Sequence, residues 1–537
     1  MTDGSDDDSA HGADDGSRVQ WREWGQDAFD DAARESKPVL LWLTATWCDD
    51  CHEMAVETFG EPRTAANVND GFVPIRVDVD RHPRVRERYN MGGFPSTVFL
   101  TPEGELLTGA TYLGPGGFRG ILDRVRETWD AQGTDAGSVP RALAGNPTPA
   151  GDLDGEIGRH FAGQLDSQWD PEYAGWGTDA KFPLPRTVEF ALKRDRTKAT
   201  RMLDAIRRNL QGEDGGFARY AAARDWSDPH TERLLTDNAG LLRAFAHGYL
   251  YTGDENYRTA ASDNTDYLRT ELRTGDAYGG SVGPDGNRRD LTAYAGGNAL
   301  LADALLTFSA YTDDETARND AEGILHYLRS NLVDTDSGRV VHYRTDEETG
   351  PADVLENAAR VVGAFTTAET VLGDGVEVAR TVADRAITEL GDEAGFRDSP
   401  AEGVGLLDRP LRPIDGTIEL AEGLLDLAAL TGEKRYHERA ESALGAFAGA
   451  AQRMGPQVAG YGSAVERCLH EPLVVAVGTD PGSDLHRAAL RIADHEKVVV
   501  PNAEDAPKGT AVLRGRDTEP AETPSELMER VADATAE

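Results

Sequence analysis

The chain has 537 residues, with 95 Asp and Glu against 55 Lys and Arg, a formal net charge of −40. That length exceeds one ordinary core and predicts two to four domains. No basic stripe offsets the negative charge, which argues against nucleic-acid binding, and no run of 18 apolar residues offers a membrane helix.

The acidity is spread along the whole chain, and only seven of the basic residues are lysine. Such a surface resembles proteins of salt-loving microbes, where molar salt screens charges within roughly 3 Å. An acidic protein shaped for a basic partner is the alternative. Three cysteines form no disulfide framework: two share one CxxC, and Cys468 stands alone. A reducing cytoplasm is therefore the expected location. No cofactor and no metal site are expected.

Met1–Ser17 is acidic without an apolar stretch, and reads as a solvated, disordered tail and not a secretory signal. Residues 18–132 alternate strand and helix patterns. Val39–Ala45 is a continuous apolar run, as in a strand buried on both faces. Trp47-Cys48-Asp49-Asp50-Cys51-His52 then opens a helix that runs to Phe59. Phe72–Val79 predicts a second strand and Arg84–Tyr89 a helix. Gly93-Phe94-Pro95-Ser96-Thr97 leads into a third strand, Val98–Leu100, before a fourth at Leu106–Tyr112 and a closing helix at Gly117–Trp129. This order predicts an α/β thioredoxin-like domain, with Pro95 cis and facing the dithiol.

A CxxC at a helix start places the first sulfur near free backbone N–H groups, and the helix dipole favours its thiolate. Cys48 is then the nucleophile and Cys51 the resolving thiol. Asp49 and Asp50 oppose the thiolate by like charge, so the Cys48 pKa is expected above that of a CxxC with neutral inner residues. Trp42 stands where thioredoxins usually carry a buried carboxylate, which weakens proton transfer to Cys51. Other readings of the same residues are c-type haem attachment at CxxCH, a metal site including His52, and relic thiols in a structural domain.

Residues 133–151 are rich in Gly, Pro, Ala and Thr and predict a linker. From 152 to 470 the pattern is helical. Asp237-Asn238-Ala239, Asn298-Ala299, Glu356-Asn357-Ala358 and Asp415-Gly416-Thr417 each open an apolar run, at spacings of 60, 59 and 59 residues. A weaker copy begins near Arg186. Most units end in a turn with glycine, as at Gly215-Gly216-Phe217 and Gly395-Phe396. Two helices per unit, repeated five or six times, predict an all-α (α/α)6 toroid over 152–470, with an open solenoid as the alternative. Residues 471–537 predict a small α/β appendage and acidic tail, including a short helix at Ser525–Ala534. Val474–Gly478 with Asp480–Ser483 resembles a strand-to-helix phosphate turn but lacks its fingerprint.

Polar residues gather between Arg219 and Asn238. Asp228 before Pro229 predicts a helix start, with His230 and Glu232 in its first turn and Asp237 and Asn238 about two turns on. Lys181 and Arg219 come from neighbouring loops. A histidine beside carboxylates suits general acid/base work on a sugar. The same residue types also satisfy backbone groups near helix starts. Their recurrence at Glu356, Asn357 and Asp415 favours that structural role.

Several motifs together resemble a known family, the thioredoxin-domain proteins that include spermatogenesis-associated protein 20 and bacterial YyaL-type proteins. They are Trp21, Trp24, Lys37-Pro38, Cys48–Met54 and Gly92–Pro102 in the first part. In the second they are Gly175-Trp176-Gly177, Ala180-Lys181-Phe182-Pro183, Gly215–Tyr220, Trp226, Pro229-His230, Glu232 and Leu235–Ala239. The resemblance implies a thioredoxin-like domain followed by a six-hairpin, glycosidase-like toroid. Three departures stand out: Asp49 and Asp50 inside the CxxC, a short segment at Ser281–Asp290, and no cysteine pair around Arg514–Glu519.

Three functions fit these residues. The first is a thiol–disulfide oxidoreductase, with Cys48, Cys51 and Pro95 catalytic, whose toroid binds a substrate or a protein or thioredoxin-system partner. The second is a carbohydrate-active toroid, epimerase- or glycosidase-like, that takes a sugar-like small molecule at Lys181, Arg219, His230, Glu232, Asp237 and Asn238. The third is a non-enzymatic scaffold.

Overall fold

The computed structural model describes residues 16–145 and 147–536, so residues 1–15 of the predicted tail lie outside the described residues. The chain divides into two compact units. The first holds the described residues up to 145 together with Ala401–Pro410, and the second takes the rest from Pro147 onward.

The first unit runs α1 (Gln26–Glu35), β1 (Val39–Thr44), α2 (Asp49–Glu57), α3 (Pro62–Gly71), β2 (Val73–Asp78), α4 (Pro83–Tyr89), β3 (Ser96–Leu100), β4 (Leu106–Ala110) and α5 (Pro115–Gln132). Its sheet has the order β2-β1-β3-β4, with β1 parallel to β2 and antiparallel to β3. Every residue of β1 is buried, as its unbroken apolar run requires of a central strand. The order of elements and the cis Phe94–Pro95 bond match the thioredoxin expectation.

Ala401–Pro410 is fastened to α4 by buried polar contacts. Arg88 is only 4% exposed. Its Nε donates to the Leu406 carbonyl and its Nη2 to that of Arg409, each at 2.8 Å. The Tyr89 hydroxyl accepts from the Leu406 N–H and donates to the Gly104 carbonyl, both at 2.9 Å.

The second unit contains twelve ring helices among the described residues. They are α6 (Gly155–Ser167), α7 (Pro185–Arg194), α8 (Arg196–Asn209), α9 (Leu235–Thr252), α10 (Glu255–Glu271), α11 (Ala295–Thr312), α12 (Glu315–Tyr327), α13 (Leu355–Leu372), α14 (Val376–Leu390), α15 (Ile414–Thr431), α16 (Lys434–Gly445) and α17 (Ala459–Leu469). The odd-numbered helices α7 to α17 pack each on the next, and α17 packs back on α7, closing an inner ring. The even-numbered helices pack outside. The unit is an (α/α)6 toroid, not an open solenoid.

Two repeat signatures have a structural cause. Gly215 and Gly338 take positive φ, and a Cβ on them would meet the carbonyl oxygens of Asp263 and Thr381 at 2.3 and 2.2 Å. The turns of one repeat thus lie against α10 and α14 with no room for a side chain. Asn238 and Asn298, near the starts of α9 and α11, each clamp such a turn. Asn238 accepts from the Phe217 N–H at 2.8 Å and donates to its carbonyl at 3.2 Å. Asn298 does the same to Tyr278, at 2.8 Å each.

One predicted boundary is corrected. No helix starts at Asp228-Pro229. Pro229–His230 pairs as a short strand with Tyr220–Ala221, Arg233–Leu234 pairs with Ser281–Val282, and α9 begins only at Leu235. Trp226 and Asp228 take left-handed backbone that turns the chain into this hairpin, and cross-strand hydrogen bonds satisfy groups a helix would otherwise use.

The C-terminal segment forms a three-stranded sheet of Val498–Val500, Val474–Val477 and Ala511–Leu513, in that order, with helices at Asp484–Leu490 and Pro524–Ala536. Its strand Val498–Val500 packs on α13 and α15.

Candidate functional site

In the first unit Cys48 and Cys51 are joined as a disulfide. Cys48 is the N-cap of α2, and its Sγ accepts from the Cys51 N–H at 3.1 Å. Cys48 is 5% exposed and Cys51 fully buried. This asymmetry suits an attacking sulfur at the helix start and a resolving sulfur behind it. Trp47 beside them donates its indole N–H to Asp80 at 2.9 Å and meets Phe94 edge-on. The Pro95 loop is ordered by Asn90, whose side-chain oxygen accepts from the N–H groups of Gly92 and Gly93. Asp49 and Asp50 are exposed in the first turn of α2. Trp42 is fully buried, stacked on Trp21 and under the Arg76 guanidinium, so its position holds an aromatic cluster and no proton acceptor.

The polar residues singled out in the toroid separate into different roles. Lys181 is 1% exposed. It donates to Asp170 at 2.9 Å and to the Gly177 carbonyl at 2.8 Å. Asn238 is spent on the Phe217 clamp. Glu232 is buried between Arg219, at 3.5 Å, and His230 Nδ1, at 3.6 Å. His230 is exposed and stacks on Tyr220.

Asp237, partly buried in the first turn of α9, leaves Oδ2 without a hydrogen-bond partner. Burial pushes its carboxyl up to about 6, with Arg219 and Arg360 opposing and Glu232 adding to the rise. The folded state therefore holds this proton more tightly than the unfolded chain. The resulting stability is complete below pH 4 and is lost as pH rises through about 6. Asp237→Asn is expected to leave unfolding nearly unchanged below about pH 3.5, under the unfolded carboxyl's own pKa. It should stabilise the protein by on the order of 2 kcal/mol at about pH 8, read from thermal melts. An equal effect at both pH values would contradict this.

A further polar centre, invisible to the sequence pattern, lies on the ring axis. A cavity of about 190 Å³ is lined by residues from the middle of the inner helices and by 495–499 of the C-terminal segment. Neither His230 nor Asp237 lines it. Arg243 bridges Glu189 and Asp303, Arg186 bonds Glu422, Arg360 bonds Glu419, and Arg467 bonds Asp426. The rings of His247 and His495 lie 4.7 Å apart. Burial holds His247 well below the ordinary histidine range and lowers His495 to about 4, so both are neutral bases. Among the described residues no group of three or more metal-ligating side chains occurs, and no helix is long and apolar enough to cross a membrane.

These arrangements can be set beside known proteins. The family Thioredox_DsbH, described as a protein of unknown function (DUF255), matches residues 11–143. Spermatogenesis-associated protein 20 from Homo sapiens is 31% identical over 300 aligned positions, covering 48% of this chain and 38% of the human protein. The chain is similar to spermatogenesis-associated protein 20 in sequence. Its match spans well under half the length of that human protein. The chain is also similar to protein disulfide isomerase-like 2-2 of Oryza sativa, 31% identical over 81 positions, 15% of this chain and 21% of that one. Its toroid is similar to cellobiose 2-epimerase of Spirochaeta thermophila, at 19% identity and a TM-score of 0.44, covering 54% of this chain and 83% of the epimerase.

Proposed function

We propose that this protein catalyses thiol–disulfide exchange through Cys48 and Cys51, and that its toroid binds a substrate or partner. The observation that carries the reading is the placement of Cys48 as the cap of α2, with its sulfur on the Cys51 N–H. In the reduced protein the Cys48 thiolate attacks one sulfur of a substrate disulfide. The S–S bond breaks, a mixed disulfide forms, and the first substrate thiolate leaves and takes a proton. Cys51, once deprotonated, attacks the Cys48 sulfur, closes the Cys48–Cys51 bond and releases the second substrate thiol. The substrate gains two electrons and the protein loses two. Donors of the thioredoxin type restore the dithiol, in a reducing cytoplasm. Reduction of insulin by dithiothreitol in molar KCl tests the reading. The wild type is expected to accelerate it at least about tenfold, which is ~1.4 kcal/mol of barrier, and Cys48→Ser to remove the gain. A wild type no faster than dithiothreitol alone defeats the proposal.

A second reading, a carbohydrate-active toroid, draws on the axis cavity, where the neutral His247 and His495 stand near Glu189. It has less support, because Glu189 and Asp303 are already engaged by Arg243.

A further inference from the structure

The chain contains only eight glutamines, and four of them converge on one groove. The groove, of about 530 Å³, lies between the end of α6, the loop after Trp176 and the residues that precede α17. Gln164 and Gln168 stand one turn apart at the end of α6, while Gln452 and Gln457 come from the far end of the ring sequence. None of the four amides makes a hydrogen bond within the described residues. The chain carries 95 acidic residues, yet no lining residue is acidic, and Arg453 is the one charged side chain among them.

An aromatic platform completes the groove. Phe182 is 48% exposed and lines it. The ring is stacked on Tyr220 at 4.7 Å and 13°, and Tyr220 on His230 at 4.2 Å and 12°. The frame is fixed from behind. The Thr187 hydroxyl donates to the Pro456 carbonyl at 2.6 Å, His160 Nε2 lies 2.9 Å from the Met454 carbonyl, and the Trp176 indole donates to the Leu165 carbonyl at 3.2 Å.

The chemistry of this wall selects its ligand. Primary amides offer donors and acceptors side by side without charge. A cation finds no carboxylate here, and an anion meets one arginine on a molecule of charge −40. An apolar ligand would strand the amides. A peptide strand needs main-chain partners along a sheet edge, and the groove is built from a helix end and loops. A pyranose presents hydroxyl groups around its rim and C–H groups on its face, matching amides around an aromatic ring. The volume falls within the usual range for small-ligand sites, roughly 300–1,000 Å³.

We propose that this groove is a binding site for a neutral oligosaccharide, with Phe182 as the stacking platform and the four glutamines as hydroxyl partners. The site is separate from the axis cavity, with which it shares no lining residue, and does not depend on thiol exchange.

Calorimetric titration of the full chain in molar KCl tests it, with maltotriose, cellotriose, mannotriose and chitotriose as probes and a neutral Gly-Ser peptide as comparison. At least one trisaccharide is expected to bind. Phe182→Ala should weaken that binding at least about tenfold, and Gln168→Ala or Gln452→Ala severalfold, a tenfold change being about 1.4 kcal/mol. Phe182→Trp keeps a flat ring and should retain binding, which guards against a folding defect in the alanine variant. Cys48→Ser should bind as the wild type does, so failure of thiol exchange and failure of this site are told apart. The inference is overturned if no trisaccharide binds, if binding ignores Phe182→Ala, or if the peptide alone binds.

Discussion

Replacing Cys51 by Ser is expected to stop turnover and leave the protein covalently joined to its substrate through Cys48. Cys48 keeps a slight exposure of 5% as the cap of α2, while Cys51 lies behind it with none. Removing the inner sulfur leaves the first attack intact and takes away the only described thiol placed to break the mixed disulfide, because the remaining cysteine, Cys468, is buried in the second unit. Turnover of a disulfide substrate should fall at least about a hundredfold, ~2.7 kcal/mol of barrier. A higher-mass species that collapses on reduction should appear on a non-reducing gel. Cys48→Ser, alone or with Cys51→Ser, should give no such species. An adduct that persists without Cys48, or Cys51→Ser turnover close to wild type, would assign the chemistry elsewhere.

The first unit was largely legible because its signals are local. The apolar run at Val39–Ala45, a CxxC at a helix start and a Gly-Phe-Pro turn each constrain their own few residues. The toroid was legible through its period, since Asn238 and Asn298 repeat one clamp. The axis cavity was not. Arg186, Glu189, Arg243, Asp303 and Glu422 lie on inner helices, where a charged face ordinarily signals solvent. Here the charges face one another across the ring, and a pairing between helices 54, 60 or 236 residues apart leaves no trace in the pattern of any one helix. The Ala401–Pro410 strap was hidden for the same reason: Arg88 and Tyr89 bond its backbone, and backbone partners carry no sequence signature. The start of α9 was misplaced because Asp-Pro is a sound cap signal locally, and strand pairing with Tyr220–Ala221 overrode it.

Lys181 illustrates how a motif residue divides between function and stability, and Asp170→Ala should show it. Asp170 is fully buried, and its carboxylate accepts from Lys181 and Arg224 and from the N–H groups of Glu172 and Tyr173. Although burial pushes it up, the hydrogen bonds from Arg224, Lys181 and the two backbone groups hold its carboxyl well below the usual range. Truncation leaves the Lys181 ammonium buried with one carbonyl partner, a loss expected at about 3–5 kcal/mol for a broken buried pair. Arg224 adds little, since its side chain is 43% exposed and water replaces the lost partner. Asp170→Ala with Lys181→Met should recover part of the loss, because the stranded charge is then gone. The sign with pH follows from the lowered carboxyl: the contribution is present above about pH 4 and disappears as acid titrates the folded carboxylate. Denaturant unfolding near neutral pH and at about pH 2–3, below the unfolded carboxyl's own pKa, reads all three effects. A cost under about 1 kcal/mol, the range of an exposed pair, would return Lys181 to the group of residues free to meet a ligand.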